Sequence, residues 1–457
     1  MFLHAASECL FLLTCCALAS ASPASWPGQE TSDGVHLFTL WSQQSLNDSE
    51  IGAFDFVWSM EDDADLVRYR AAGAQRAVPA VLSRYVPFGI ASSGEGESNR
   101  AFSNLTWWQE HHPTWLLYRC DRKTPATYWG PGLGLDISNP DVLDYMLHGD
   151  PAHNSRSAAA VASAGYDSIS LDLFSFGNWF RACGAYDASG EWQQLYSNAT
   201  DDAAYKRDVL AWLGAYYAGL QSIRGRDSGR RLLLVPNFPS HVGNPAPGFW
   251  GDSAWNSTDM FFVGNHTDGI LSEEGFTGYG GGLVGGADWV NKFLFAQNLQ
   301  DSGKAYFSVN YWGPKNVQTH APAPVNASVE DYFLASYLVA KGSASALHFG
   351  PNQCSYGPPC TCGGWCDHRS LQFFGRTLTP AVGAPASRAR ELDGGVWVRE
   401  MTAGLALVNP NAAAGAARNV TLDPSFSYQD RAGRIVPATV PLLLPPLSGA
   451  VLLRTKN

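Results

Sequence analysis

The chain has 457 residues, 45% of them hydrophobic and only 16% charged, which is enough apolar material for a large folded core and excludes a disordered chain. The net charge of −11, with no long basic run, argues against nucleic acid as a partner. Aromatic residues make up 12%, with 16 Trp, which suits both dense packing and stacking against sugar rings.

The N-terminus reads as a signal peptide over residues 1–21. Cys9-Leu-Phe-Leu-Leu-Thr-Cys-Cys-Ala-Leu-Ala19 is an apolar run too short to span a membrane, and Ala19-Ser-Ala21 is a small-residue cleavage site. No other apolar stretch is long enough to span, so no membrane span is expected once the leader is removed. The first strand is expected at His36-Leu-Phe-Thr-Leu-Trp41 and the second at Phe54-Asp-Phe-Val-Trp58. A short helix follows from about Asp63 to Ala72, and Val78-Pro-Ala-Val-Leu82 is the third strand. A long excursion occupies about 85–163. Trp115-Leu-Leu-Tyr118 has strand texture but is placed in a hairpin of that excursion, outside the main strand count. Asn139-Pro140-Asp141 carries the cap, first-turn proline and first-turn acid of a helix.

The central stretch is Gly165-Tyr-Asp-Ser-Ile-Ser-Leu-Asp-Leu173, a buried strand that runs out at Asp172. A helix is expected over Ala203 to Ile223, with Leu210, Leu213, Tyr217 and Leu220 on one face. Arg231-Leu-Leu-Leu-Val-Pro-Asn237 is the fifth strand and Asp268-Gly-Ile-Leu-Ser-Glu273 the sixth. Helices near Ala287–Asp301 and Ser328–Gly342 bracket the seventh strand, Ala305 to Asn310, which leads into Tyr311-Trp312. Ser345-Ala-Leu-His-Phe349 is the eighth. Eight strands alternating with helices imply an α/β fold, a (β/α)8 TIM barrel over 22–379. From 380 to 457 helical periodicity disappears and short strands such as Gly404-Leu-Ala-Leu-Val-Asn409 imply a small antiparallel β-sandwich domain.

Two motifs share one spacing. Asp167 is followed five residues on by Asp172, and Asp268 five residues on by Glu273. In a barrel the first member of each pair lies before its strand and the second at the C-terminal end, where barrels keep their chemistry. Asp172 with Glu273, or its neighbour Glu274, is thus a candidate catalytic carboxylate pair. Alternation sets Glu273 and Glu274 on opposite faces, and the shared spacing favours Glu273. The plain alternative for Asp172 is an ion pair with a cation such as Arg84. Trp41, Arg84, Phe174, Asn237, Tyr311, Trp312 and His348, at or near strand ends, are the candidate substrate-binding residues. No cofactor is called for, and no metal site is assigned.

Six cysteines remain after the leader: Cys120, Cys183, Cys354, Cys360, Cys362 and Cys366. The last four read as a zinc knuckle or as two local disulfides, and the secretory context favours disulfides. Cys120 and Cys183 would then pair across the barrel top. Seven Asn-x-Ser/Thr sequons, at Asn47, Asn104, Asn198, Asn256, Asn265, Asn326 and Asn419, fit a secreted or lumenal glycoprotein. The closeness of Asn265 to Glu273 argues against its use.

These motifs resemble those of the glycoside hydrolases built from a (β/α)8 barrel and a C-terminal β domain, the group that includes alpha-amylases and alpha-galactosidases. Gly165-Tyr-Asp-Ser-Ile-Ser-Leu-Asp172 resembles a fourth-strand Gly-Tyr/Phe-Asp-Gly-Ile-x-x-Asp motif, with Ser168 where Gly is commoner. Asp268-Gly-Ile-Leu-Ser-Glu273 resembles the later-strand acid motif, and Gly404 to Pro410 with Ser448 to Leu453 resembles the terminal β domain. The resemblance implies Asp172 as nucleophile or electrostatic stabiliser and Glu273 as general acid/base. Its sixth-strand acid is closer to alpha-galactosidase relatives. A fifth strand ending on Asn237 departs from the alpha-amylase pattern, because an amide cannot transfer a proton. The expected function is hydrolysis of O-glycosidic bonds in an oligo- or polysaccharide. A non-catalytic carbohydrate-binding barrel is the alternative, and the oligomeric state is left open.

Overall fold

The computed structural model describes residues 35–40, 55–58, 66–68, 71, 80–83, 89–91, 105–128, 132–149, 157–171, 174–226, 229–238, 257–278, 282–312, 327–342, 344–351, 382–413 and 416–456. Residues 1–21, expected to form a signal peptide, together with Trp41, Arg84, Asp172 and the cysteines from Cys354 to Cys366, lie outside the described residues.

In chain order the strands begin with β1 (Phe38–Leu40), β2 (Phe56–Trp58), β3 (Ala80–Ser83) and β4 (Gly89–Ala91). Helix α1 (Leu105–His111), strands β5 (Thr127–Tyr128) and β6 (Gly132–Gly134) and helices α2 (Pro140–His148) and α3 (Ala158–Ala164) lead to β7 (Ser168–Leu171). Next come β8 (Gly184–Tyr186), β9 (Trp192–Gln194), α4 (Ala203–Leu220), β10 (Leu233–Pro236), α5 (Thr258–Asn265) and β11 (Gly269–Ser272). Then α6 (Gly286–Asp301), β12 (Ala305–Trp312), α7 (Ala327–Ala340) and β13 (Ser345–Pro351) complete the alternating part. The remainder is all strand: β14 (Arg390–Leu392), β15 (Val396–Met401), β16 (Gly404–Asn409), β17 (Arg418–Val420), β18 (Phe426–Gln429), β19 (Ile435–Val436), β20 (Leu442–Leu444) and β21 (Ser448–Lys456).

Three parallel ladders carry the alternating part: β1 with β2, β3 with β7 and β10, and β11 with β12 and β13. Parallel bridges Asn237–Leu271 and Leu37–Leu347 join the second ladder to the third and the third to the first. Strand β2 also lies beside β3. The described strand residues are buried on both faces, mostly by apolar side chains, as in parallel strands covered by helices. Leu233, Val235, Leu271, Ala305, Phe307, Val309 and Ala346 pack with Phe38, Phe56 and Trp58 in one cluster. The alternate residues Ile169, Leu171, Leu234, Ile270, Tyr306 and Leu347 pack into a second cluster with the helices. The entry to β7 follows from local chemistry. Ser157 caps α3 through Ala160 N, and Gly165 closes the helix at φ 101°, a left-handed position natural to glycine.

The helix over 203–220 buries a different stripe from the one expected. Tyr205, Val209, Trp212, Leu213, Tyr216 and Leu220 are buried, whereas Leu210 and Tyr217 are only half-buried. The shift brings two large aromatics, Trp212 and Tyr216, inward, their rings 4.5 Å apart and stacked. Asn139 caps α2 as expected, accepting from Asp141 N at 2.9 Å. Trp115 to Tyr118 is no member of the parallel ladders. It makes single bridges from Leu116 to Leu135 and from Tyr118 to Pro125 and Gly184.

Cys120 and Cys183 form a disulfide, so the excursion after β3 is tied to the loop after β7. Both loops leave the C-terminal ends of their strands. With the cysteines 63 positions apart, loop-closure arithmetic gives the bond a stabilisation of roughly 4 kcal/mol.

The C-terminal strands form a six-stranded antiparallel sheet in the order β14-β15-β16-β21-β18-β19 and a β17–β20 pair. Val396, Val398, Leu405, Leu407, Val420, Leu444 and Leu452 pack together between them. The sheet sits directly on α7. A Cβ on Gly449 would fall 2.6 Å from the Asp331 carbonyl oxygen, so only glycine allows this approach. Arg399 reaches from β15 to donate to the carbonyl oxygens of Val339, at 3.0 Å, and Lys341, beyond the last turn of α7. Burial pulls this guanidinium down to about 10. On the same face of β15 as Arg399, Trp397 packs against Phe293 of α6, ring centroids 4.6 Å apart.

Candidate active site

The parity of the strands decides what lies at their ends. In β10 Leu233 and Val235 face the inner cluster, and in β11 Leu271 does. Two residues further along each strand stand Asn237 and Glu273. Their side chains meet: Asn237 Nδ2 donates to Glu273 Oε2 at 2.7 Å. Asn237 is fully buried and Glu273 is 8% exposed. A carboxylate and an amide thus pair at the C-terminal ends of adjacent parallel strands. The backbone of Asn237 is fixed as firmly, its N–H donating to Leu171 O at 2.7 Å and its carbonyl accepting from Phe174 N at 3.0 Å. Asn237 therefore joins β7, β10 and Glu273.

The turn that carries Glu273 is clamped from below. Gly275 N donates to Val309 O, and Phe276 N donates to Asn310 Oδ1 at 2.8 Å. Ser272 Oγ donates to Glu274 O at 3.0 Å. The Lys292 ammonium of α6, fully buried, donates to the carbonyl oxygens of Glu274 and, at 2.7 Å, Gly275. A Cβ at Gly275 would lie 2.3 Å from Ser308 Oγ and 2.8 Å from Val309 O, so the close approach requires glycine.

Other expected positions fall out as follows. Glu274 is also buried, 2% exposed, in the bend just beyond β11. Phe174 is fully buried against Phe176 and Phe238, with ring centroids 6.4 and 6.1 Å away. It is a packing wall, not the exposed stacking surface expected of a sugar-binding ring. Asn310 has the outward parity of Tyr306 and spends its amide on Phe276 N and Ser308, so its role is structural. His348 is buried on the inner face, its Nδ1 3.3 Å from Phe38 O. Tyr311 and Trp312 are placed as backbone of β12, with their side chains outside the description. Asp172, Trp41 and Arg84 lie outside the described residues.

Asp268 is structural, at the opposite strand end. It accepts from Arg231 through both guanidinium nitrogens, from Tyr217 OH at 3.1 Å and from Leu234 N at 2.9 Å. Near it Lys304 donates to the carbonyl oxygens of Gly264 and Asn265, and burial lowers its ammonium to about 8. Asn265 is exposed at this end, on the far side of the strand from Glu273, so nearness to the site is no obstacle to its sequon. Among the described residues no group of three His, Cys, Asp or Glu side chains is placed to hold a metal ion, and no helix is long and apolar enough to cross a membrane.

Lys292 had not been singled out from sequence. The signal was present: Trp289, Lys292, Phe293, Ala296 and Leu299 fall at helical spacing, so a lysine interrupts an apolar stripe. A charge in such a stripe needs a buried partner.

No protein-family model matches the chain, and no curated protein matches it by sequence. Solved structures similar to it include the glycoside hydrolase domain of PelA from Pseudomonas aeruginosa, at 13% identity and TM-score 0.38 over 70% of this chain and 96% of that one. The maltogenic alpha-amylase AmyB from Thermotoga neapolitana matches at 11% identity and TM-score 0.39, over 93% and 87% of the two chains. A GH31 alpha-xylosidase from a soil metagenome matches at 10% identity and TM-score 0.43, over 94% and 64%. All three are glycoside hydrolases by name; at these identities and scores the likenesses assign this chain neither a family nor an activity.

Proposed function

We propose that the chain is a glycoside hydrolase in which the eight parallel strands close into a (β/α)8 barrel, β2 against β3, with Glu273 as general acid/base and Asp172 as its partner carboxylate. The observation that carries this reading is the buried Glu273 carboxylate at the inner C-terminal end of β11, held by the Asn237 amide of the neighbouring strand. Barrel enzymes build their sites at those strand ends. Asp172 directly follows β7, the other neighbour of β10, and has the parity of Ser168 and Ser170. Glycosidic cleavage needs one carboxylic acid to protonate the leaving oxygen and a second carboxylate to attack the anomeric carbon or activate water. Asn237 cannot transfer a proton, but its N–H donor orients the acid through Oε2. The substrate class is an oligo- or polysaccharide, and the protein acts in a secretory lumen or outside the cell.

The test is hydrolysis of a panel of 4-nitrophenyl glycosides and soluble polysaccharides by the full-length protein and by Asp172→Asn. The expected result is release of nitrophenol or new reducing ends by the wild type. In the variant the rate should fall by about 10²-fold or more while sugar still binds. Wild-type binding without turnover would leave the carbohydrate-binding alternative in place, and an unaffected variant would remove Asp172 from the mechanism.

A further inference from the structure

We infer that Lys292 is the positioning residue of this site: it sets the Glu273 carboxyl through the backbone of the turn that bears it. The inference rests on the assignment of Glu273 as the acid. Lys292 sits on the buried stripe of α6 and is wholly excluded from solvent. A buried ammonium is costly unless fully hydrogen-bonded. Here it is drawn to two successive carbonyl oxygens, Glu274 O and Gly275 O, immediately after the acid. Such a contact pins two peptide planes at once. Those planes hold the Glu274 and Gly275 Cα atoms, so the chain leaving Glu273 has a fixed end one residue on and less freedom to swing its carboxyl.

The rest of the turn is held by neutral groups. Ser272 Oγ shares the Glu274 carbonyl, Gly275 N donates to Val309 O, and Asn310 takes Phe276 N. Lys292 is the charged member of the clamp. A charged donor to a carbonyl is about twice as strong as a neutral one. The missing side chain of Gly275 lets the turn drop onto β12 within reach of the ammonium. Asn237 thus grips the Glu273 carboxyl, and Lys292 grips the backbone of the two residues that follow it. Removing the second grip leaves the first, so the carboxyl remains in the site but in a wider spread of directions. General acid catalysis is sensitive to that spread, whereas ground-state sugar binding is much less so. Misplacement on the scale of an ångström costs on the order of 10²-fold in rate.

The experiment compares Lys292→Met, Glu273→Gln and the wild type, using the 4-nitrophenyl glycoside that the wild type turns over and the 2,4-dinitrophenyl glycoside of the same sugar. Lys292→Met is expected to lower kcat about 10²-fold on the first, to change KM less than about threefold, and to lose far less on the second. The second leaving group departs without a proton, so it does not need an aligned acid. A lysine that only stabilised the fold would lower the melting temperature and leave the ratio between the two substrates unchanged. That ratio, unchanged in a folded Lys292→Met while Glu273→Gln alters it, overturns the positioning role and leaves the hydrolase reading intact. An unaltered ratio in Glu273→Gln overturns the acid assignment itself. If Lys292→Met does not accumulate as folded protein, Asn310→Ala decides. It opens the same turn at Phe276 N and should shift the ratio in the same direction, and a wild-type ratio there counts against the proposal.

Discussion

Glu273→Gln is expected to lower kcat/KM for an unactivated glycoside by about 10²–10⁴-fold, the usual contribution of a general acid. The substitution keeps the volume and the contact with Asn237, because the glutamine carbonyl oxygen still accepts from Asn237 Nδ2 as Glu273 Oε2 does. Folding should therefore be unaffected, and the loss would report proton transfer alone. Substrates with strongly acidic leaving groups should be largely spared. Glu274→Gln is the internal control: alternation assigns its side chain to the other face, and the rate should stay close to that of the wild type. The measurement is steady-state hydrolysis across leaving groups. Equal losses for Glu273→Gln and Glu274→Gln would refute the assignment by parity.

The second large effect is on stability. Asp268→Ala should destabilise the fold by about 3–5 kcal/mol, the typical result of deleting one member of a buried ion pair. Asp268 and Arg231 have side chains only 5% and 16% exposed, and Asp268 also takes the Tyr217 hydroxyl and the Leu234 N–H. Its removal leaves a half-buried guanidinium uncompensated and frees the start of β11 from β10. Equilibrium denaturation would show a lower midpoint, while the folded fraction keeps its kcat, because the pair sits at the strand ends away from Glu273. A variant as stable as the wild type would show that Arg231 finds another partner. The two substitutions should thus separate cleanly: one removes turnover without stability, the other stability without turnover.

The two motifs with one spacing have this division of labour inside them. In Asp268 to Glu273 the first acid holds the fold and the second occupies the candidate site, and the sequence made that split legible through strand polarity alone. Alternation assigns Glu273 and Glu274 to opposite faces from sequence alone, and the two Gln variants test that assignment. What could not be read was pairing between strands. That Asn237 meets Glu273 depends on the register of β10 against β11, across 36 residues of chain. Asn237 reads from sequence as a substrate contact, and the structure adds that one N–H of its amide is given to the acid. Lys292 was legible as an anomaly in an apolar stripe, but its acceptors, two backbone carbonyls, leave no mark in sequence. Phe174 shows the same limit in reverse: an aromatic after a strand reads as a stacking surface until packing shows it covered by Phe176 and Phe238.

The change of texture near residue 380 marks a seam in the sequence, yet Arg399 crosses it. Its guanidinium satisfies carbonyls at the end of α7 that the helix cannot satisfy itself. A chain cut at the seam would keep α7 and lose both the cation that finishes it and the sheet packed on it. Such a fragment should melt far below the whole protein or fail to fold; equal melting points would show the seam to be real. The modularity visible in the sequence is one of architecture, and the unit that can be inherited, exchanged or expressed intact is the helix together with the sheet that ends it.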